Sequence, residues 1–217
     1  MKLLSYKAKD IKNLIALQLG PKMNQASFFH KKTNNEFVYT GVEYDYIFNM
    51  LLTQWSDHYS LDVRLWIRQK KVEKLLQSIL GKRHDVTIGN TIERIFFSPD
   101  GREVKNGSLG ILLIQDQDIE AAVETLDRYF DTIAMLYFNR YDNLEAINDI
   151  INNPPFDYSP AHVGGGLADR CMRGLIIAKL QNNPQYNDLG IIYDEAIKKT
   201  MSADSIDKYR KVKECLG

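Results

Sequence analysis

Residues 60–68 read Ser60-Leu61-Asp62-Val63-Arg64-Leu65-Trp66-Ile67-Arg68. Leu61, Val63, Leu65 and Ile67 alternate with Asp62, Arg64, Trp66 and Arg68, the period-two pattern of a strand with one buried face and one polar face carrying an indole. A helix over 70–80 follows, with Val72, Leu75, Leu76 and Ile79 on one side and Gly81 as its stop. Upstream, the sequence predicts a helix over 5–19 ended by Gly20-Pro21, a hairpin of 27–30 and 36–40 turned by Thr33-Asn34-Asn35, and a second helix over 44–54.

Downstream, residues 91–115 read as a three-stranded meander. Its first strand, 92–97, is turned by Ser98-Pro99-Asp100-Gly101, and its second, 102–105, by Asn106-Gly107, a strong hairpin signal. The third, 109–114, is apolar on both faces and reads as a central strand. Beyond Asp118 no strand pattern recurs. Helices are expected at 118–139, 142–152, 167–181, 187–200 and 203–215, the last capped by Ser202, with Pro154-Pro155 and Pro160 marking the irregular connection. Strands first and helices afterwards make an α+β protein: a mainly antiparallel sheet with flanking helices, then a C-terminal helical region. One domain over 1–217 is expected, mixed over 1–116 and helical over 117–217.

The 217 residues are 44% apolar, 26% charged and 11% aromatic, which excludes wholesale disorder. Lys7 and Lys9 arrive before the apolar core of a secretory leader could develop, and the longest apolar run, 133–138, is far short of a membrane span. Cys171 and Cys215 stand 44 positions apart with no C-x-x-C, so two unpaired thiols in a reducing cytoplasm are expected.

The net charge is zero but unevenly spread. Residues 1–100 carry 15 basic and 10 acidic side chains, residues 101–217 carry 13 and 18, and nine acids lie between Asp116 and Asp149 against Arg128 and Arg140. In the helix 118–139, Ile119, Val123, Leu126, Phe130, Ile133 and Tyr137 form a core stripe. Glu120, Glu124, Asp127 and Asp131 repeat that spacing one position on, an acidic stripe about 16 Å long. Like charges at this spacing cost a helix a few tenths of a kcal/mol per pair. Its functional reading is a docking surface for a basic partner, and its bland reading is a solvated helix face. On the basic side, Arg64, Trp66 and Arg68 share one strand face that could stack and neutralise single-stranded RNA. One aromatic is a thin platform and no ribonucleoprotein motif accompanies it, so nucleic acid is disfavoured.

For small ligands, Ala161-His162-Val163-Gly164-Gly165-Gly166 leads into the helix at 167. His162, Gly164, Gly165, Gly166, Arg170 and Arg173 could together hold an anion or nucleotide at a helix N-terminus. No strand precedes the glycines and no Lys-Ser/Thr follows, so neither phosphate-loop spacing is met. His30, His58, His84 and His162 are scattered, leaving no metal motif. No nucleophile motif or catalytic pair emerges, and no cofactor is implied.

The segment Arg173-Gly174-Leu175-Ile176-Ile177-Ala178-Lys179-Leu180-Gln181-Asn182-Asn183-Pro184-Gln185-Tyr186 resembles the helix–Asn-Pro–helix stretch of uncharacterised bacterial proteins similar to immunity proteins of polymorphic-toxin systems. The resemblance implies a bacterial protein that neutralises a cognate toxin. Charge pattern, missing catalytic motifs and this resemblance together lead to the expectation of a non-catalytic protein-binding role, with Glu120, Glu124, Asp127 and Asp131 meeting a basic protein partner. The anion-binding or enzymatic reading is the first alternative and RNA binding the second.

Overall fold

The stretch 60–68 lies within a strand, β4 (Tyr59–Gln69), paired antiparallel with β3 (Tyr44–Gln54) along its whole length, from Tyr44 opposite Gln69 to Gln54 opposite Tyr59. The structure, a computed structural model, describes residues 6–81, 86–97, 108–153, 155, 166–200 and 202–217. The turns at Ser98–Gly101 and Asn106-Gly107, the strand expected at 102–105, Pro154 and Pro160 lie outside them.

Around this pair the sheet runs β1 (Phe29–Lys31), β2 (Glu36–Thr40), β3, β4, β5 (Ile88–Thr91), all antiparallel, and β6 (Ile111–Leu113) pairs with the other end of β4. Register puts Phe37, Tyr46, Phe48, Met50, Leu61, Val63, Leu65 and Ile67 on one face, all but the half-buried Tyr46 fully buried.

Region 44–54 is therefore a strand, where a helix was expected. Tyr44, Ile47, Phe48, Leu51 and Leu52 stand at i, i+3, i+4, i+7, i+8, which mimics a helix face. In the sheet, Ile47 and Leu51 point to the side opposite Phe48 and Leu52. Apolar residues on both faces hide the alternation.

Helix α1 (Ala8–Gln25) also departs from expectation by running through Gly20-Pro21. Ile11, Ile15, Leu19 and Met23 keep a four-residue spacing and are all buried. Proline removes the bond that residue 21 would donate to Leu17, but Leu17 is on the solvent side, where water can take that carbonyl. Packing outweighs the local breaker. Residues 92–97 form a helix, α3 (Ile92–Phe97), where a strand was expected, because Ile92 and Ile95 are buried at helical spacing. β6 is a short strand bound to β4, with no strand on its other side among the described residues, and only alternate side chains turn inward, so it is not the central strand expected at 109–114.

Helix α2 (Lys70–Leu80) begins on Gln69, whose side chain accepts from Val72 N, and stops at Gly81 in the left-handed region. The helix expected at 118–139 is α4 (Asp118–Tyr129), a π turn (Phe130–Ala134) and α5 (Met135–Arg140). Eight residues of ideal α-helix would rotate Phe138 about 80° away from Phe130. The wider turn takes back most of that rotation, and both rings face the sheet. Phe28 lies 5.1 Å from Phe130 and 5.7 Å from Phe138, Tyr46 lies 5.1 Å from Phe138, and Phe48 lies 5.8 Å from Phe130.

The C-terminal region is helical as expected: α6 (Leu144–Asn152), α7 (Leu167–Leu180), α8 (Tyr186–Thr200) and α9 (Ala203–Leu216), the last capped by Ser202. Its buried side chains join those of the sheet in one cluster. Two polar ties fasten it. Arg173 of α7 donates from Nε to Oε1 of Glu73 in α2 at 2.8 Å and from Nη2 to Oε2 at 3.1 Å, both residues buried. Thr87 adds a third bond, its hydroxyl donating to Glu73 Oε1 at 2.8 Å. In the second tie, Asn152 donates to the Gly174 carbonyl at 3.0 Å and accepts from the Tyr193 hydroxyl. A Cβ on Gly174 would stand 2.7 Å from Tyr193 Oη and 2.8 Å from Asn152 Oδ1, which explains glycine inside a helix where it ordinarily costs about 1 kcal/mol.

Breaking a buried, hydrogen-bonded ion pair on one side leaves an uncompensated charge, at a cost of about 3–5 kcal/mol. Urea unfolding of Glu73→Gln should show a loss in this range, and the double variant Glu73→Leu/Arg173→Met should recover most of it. Gly174→Ala should lose about 1–3 kcal/mol by overpacking, despite alanine's better helix propensity.

Candidate functional site

The acidic stripe does not stand free along its length. Glu120 and Glu124 are exposed on α4. Asp127 and Asp131 are gripped from α1 by Lys22, whose Nζ lies 2.7 Å from Asp127 Oδ1 and 2.6 Å from Asp131 Oδ2. Lys22 is over a hundred positions away in sequence, beyond the reach of any local pattern. The helical spacing that made a stripe of four carboxylates is real, but half of it is paired with a lysine of the same chain at the surface.

Asp118, also in this acidic run, has a structural role. Its Oδ2 accepts from Ile114 N at 2.8 Å and from Gln115 N at 2.9 Å, tying the end of β6 to the start of α4.

The anion site expected at the glycines is reached only in part. His162, Gly164 and Gly165 lie outside the described residues. Gly166 is the N-cap of α7. Arg173 is buried against Glu73. Arg170 is buried as well, and its Nη2 donates to the Ile151 carbonyl in the last turn of α6 at 3.3 Å. Both arginines thus anchor helices. Cys171, beside them, is buried, and burial pushes its thiol up to about 12, so it carries no thiolate at neutral pH. Cys215 is exposed and neither cysteine is bridged. Among the described residues no three His, Cys, Asp or Glu side chains converge as metal ligands, and no helix is long and apolar enough to cross a membrane.

The surface that stands out is the face of the sheet turned away from the aromatic core. Val38 of β2 and Ile47 of β3 are 3% and 7% exposed yet take no part in the main core cluster. Opposite Ile47 on this face is Trp66, opposite Asn49 is Arg64, and opposite Asp45 is Arg68. Arg64, Trp66 and Arg68 share one side of β4, as their alternation predicts. The indole lies against Gly89 of β5: a Cβ there would stand 2.7 Å from Trp66 Cδ1 and 2.2 Å from the Leu65 carbonyl oxygen, and the backbone has φ +145°, so only glycine fits.

Between β2, β3 and β4 this face holds a groove of about 190 Å³, with Val38, Ile47 and Trp66 as its apolar surfaces and Lys31, Glu36 and Arg68 among its charged ones. Asp45 Oδ1 lies 3.0 Å from Lys70 Nζ, and its Oδ2 is 3.6 Å from Arg68 Nη1. Toward the far end the face turns apolar and open. Leu51 lies two pairs along from Asn49, Leu112 of β6 stands opposite Ser60 and is 57% exposed, and Trp55 is 56% exposed with its Nε1 donating to Ser60 Oγ at 3.1 Å. Asp62, opposite Leu51, is half-buried, and burial together with the nearby Glu93 pushes its carboxyl up.

Chemically this face offers apolar contact area edged by charges of both signs. A polyanion laid on it would meet Glu36, Asp45 and Asp62 as well as the arginines, a poor match for RNA. Sequence reasoning singled out Arg64, Trp66 and Arg68 but missed Ile47, Leu51, Trp55 and Leu112. The first three lie in or beside the strand read as a helix, and the fourth in a strand read as central. Comparisons with protein-family models, curated proteins and solved structures give no match.

Backbone N–H bonds from Ile114 and Gln115 hold the Asp118 carboxyl below its ordinary value. A folded pKa below the unfolded one, about 3.9, gives stability that is full above that value and is lost as pH falls through the folded pKa. Asp118→Ala should therefore flatten the acid limb of a urea-stability profile below about pH 4, with a uniform loss at neutral pH.

Proposed function

We propose that this chain is a non-catalytic protein-binding protein and that the open face of its sheet is where the partner docks. One observation carries the reading. A six-stranded sheet has one face packed under helices, while the other keeps Leu51, Trp55 and Leu112 open to solvent beside a groove of mixed charge. Contiguous exposed apolar residues rimmed by polar groups are a feature of protein interfaces, and Trp and Arg are enriched at their energetic centres. The paired charges, Arg68 with Asp45 and Arg64 near Asp62, favour a partner with interleaved charges over a polyanion. Neutralisation of a toxin in a bacterial cytoplasm is the use we propose for such a face. The resemblance of residues 173–186 and the two unbridged thiols support that use.

The exposed half of the acidic stripe, Glu120 and Glu124, stays in this proposal as a steering surface for a basic partner, which would raise the association rate more than the affinity. Tagged protein recovered from its source cells, in three forms, tests the reading. Wild type should retain one stoichiometric protein partner, toxic when produced alone. Leu51→Glu/Leu112→Glu, two surface changes that leave the core intact, should weaken binding about 100-fold. Glu120→Lys/Glu124→Lys should bind with a reduced salt dependence and a changed affinity of less than about tenfold. Retention by the leucine variant with loss in the glutamate variant would move the docking site to α4. Absence of any partner in all three would overturn the proposal.

A further inference from the structure

A second surface lies at the edge of the sheet, on the far side of β1 from the groove just described. β1 pairs with β2 on one side, and among the described residues no strand pairs with its other edge. Beside that edge, between β1 and α1, runs a groove of about 710 Å³. Its apolar wall includes Leu17 and Pro21 from the helix and Phe29 and Phe37 from the strands. Leu17 is 75% and Phe29 62% exposed, so two large apolar residues border the groove in open solvent. Asn13 and Asn24 lie along the helix side, and Lys32 is the charged residue among the described lining.

An unpaired strand beside an apolar groove is the arrangement in which an extended peptide adds to a sheet. The main chain supplies the pairing, and alternate side chains enter the groove. Natural edges are usually blocked against such pairing by shortness and by lysine. Here the strand is three residues long, and Lys31 and Lys32 stand at its end. Those lysines also select the occupant. A second copy would bring its own Lys31 and Lys32 and raise the positive charge of this edge, whereas an acidic strand would be attracted, and no carboxylate is among the groove's described lining residues.

We propose that the groove between α1 and β1 binds an extended peptide segment of a partner protein, apolar and acidic in alternation, as an added strand on β1. The groove lies on the α1 side of β1; Lys31 also borders the open-face groove, but the proposal does not rest on a partner docking there. Selection from a displayed library of random short peptides tests it on the full chain. Peptides enriched on wild type should alternate apolar and acidic residues, bind Leu17→Glu roughly tenfold more weakly, and bind Lys32→Glu more weakly still. The same peptides with alternate backbone amides methylated should fail to bind, because they cannot complete the strand. Leu112→Glu, on the other surface, should bind them as wild type does. No enrichment, enrichment of basic peptides, or equal binding by Leu17→Glu or by the methylated peptides would overturn the proposal.

Discussion

The fold depends on one register, the full-length pairing of β3 with β4. Side chains alternate strictly between the two faces of a strand, so a slip of one residue would turn one strand of the pair over against the other. Either Asp45 of β3 or Arg64 and Arg68 of β4 would then enter the aromatic cluster around Phe130 and Phe138, and Phe48 and Met50 or Val63 and Leu65 would go to water. The penalty for burying those charges makes the register unambiguous. Once it is set, β2 and β5 have fixed places on either side and β6 takes the remaining length of β4. The helices α1 and α4 can cover only one of the two faces.

The C-terminal helices are attached differently. Their apolar contacts are extensive but directionless, and the polar ties fix their angle and depth. Arg173 meets Glu73 as a planar fork, a geometry that tolerates little rotation. The Asn152–Gly174–Tyr193 contact requires close approach of three helices, α6, α7 and α8, and excludes any side chain at the point where they meet. The polar groups most plausible as a ligand site by residue type, two arginines beside a glycine-rich segment, thus include one that serves assembly outright and one that caps a helix end.

Sequence patterns were legible where one face dominated. β4 and α2 follow their alternation and periodicity closely, and so do the helices after Asp118. β3 was not legible, for the same reason that it matters. Ile47 and Leu51 sit on the open face, and their presence broke the alternation into a helical spacing. Pro21 misled because a local rule was overridden by four evenly spaced core residues. The acidic stripe was visible as a pattern, but the Lys22 that occupies half of it comes from over a hundred residues away, and no local reading supplies such a contact. Leu112 was hidden by a strand too short to display its period.

The π turn in the long helix has a meaning for descent. A turn closed over five residues holds one residue more than the α-helical turn it replaces, so it can be viewed as a single inserted residue absorbed without unfolding the helix. That insertion brings Phe138 round onto Tyr46 and Phe28. In a lineage lacking it, the ring would point elsewhere and the aromatic cluster would need different partners. A one-residue gap near 130–134 in an ancestral sequence would thus coincide with compensating changes at Phe28, Tyr46 and Phe138, leaving a trace of the order in which the core was assembled.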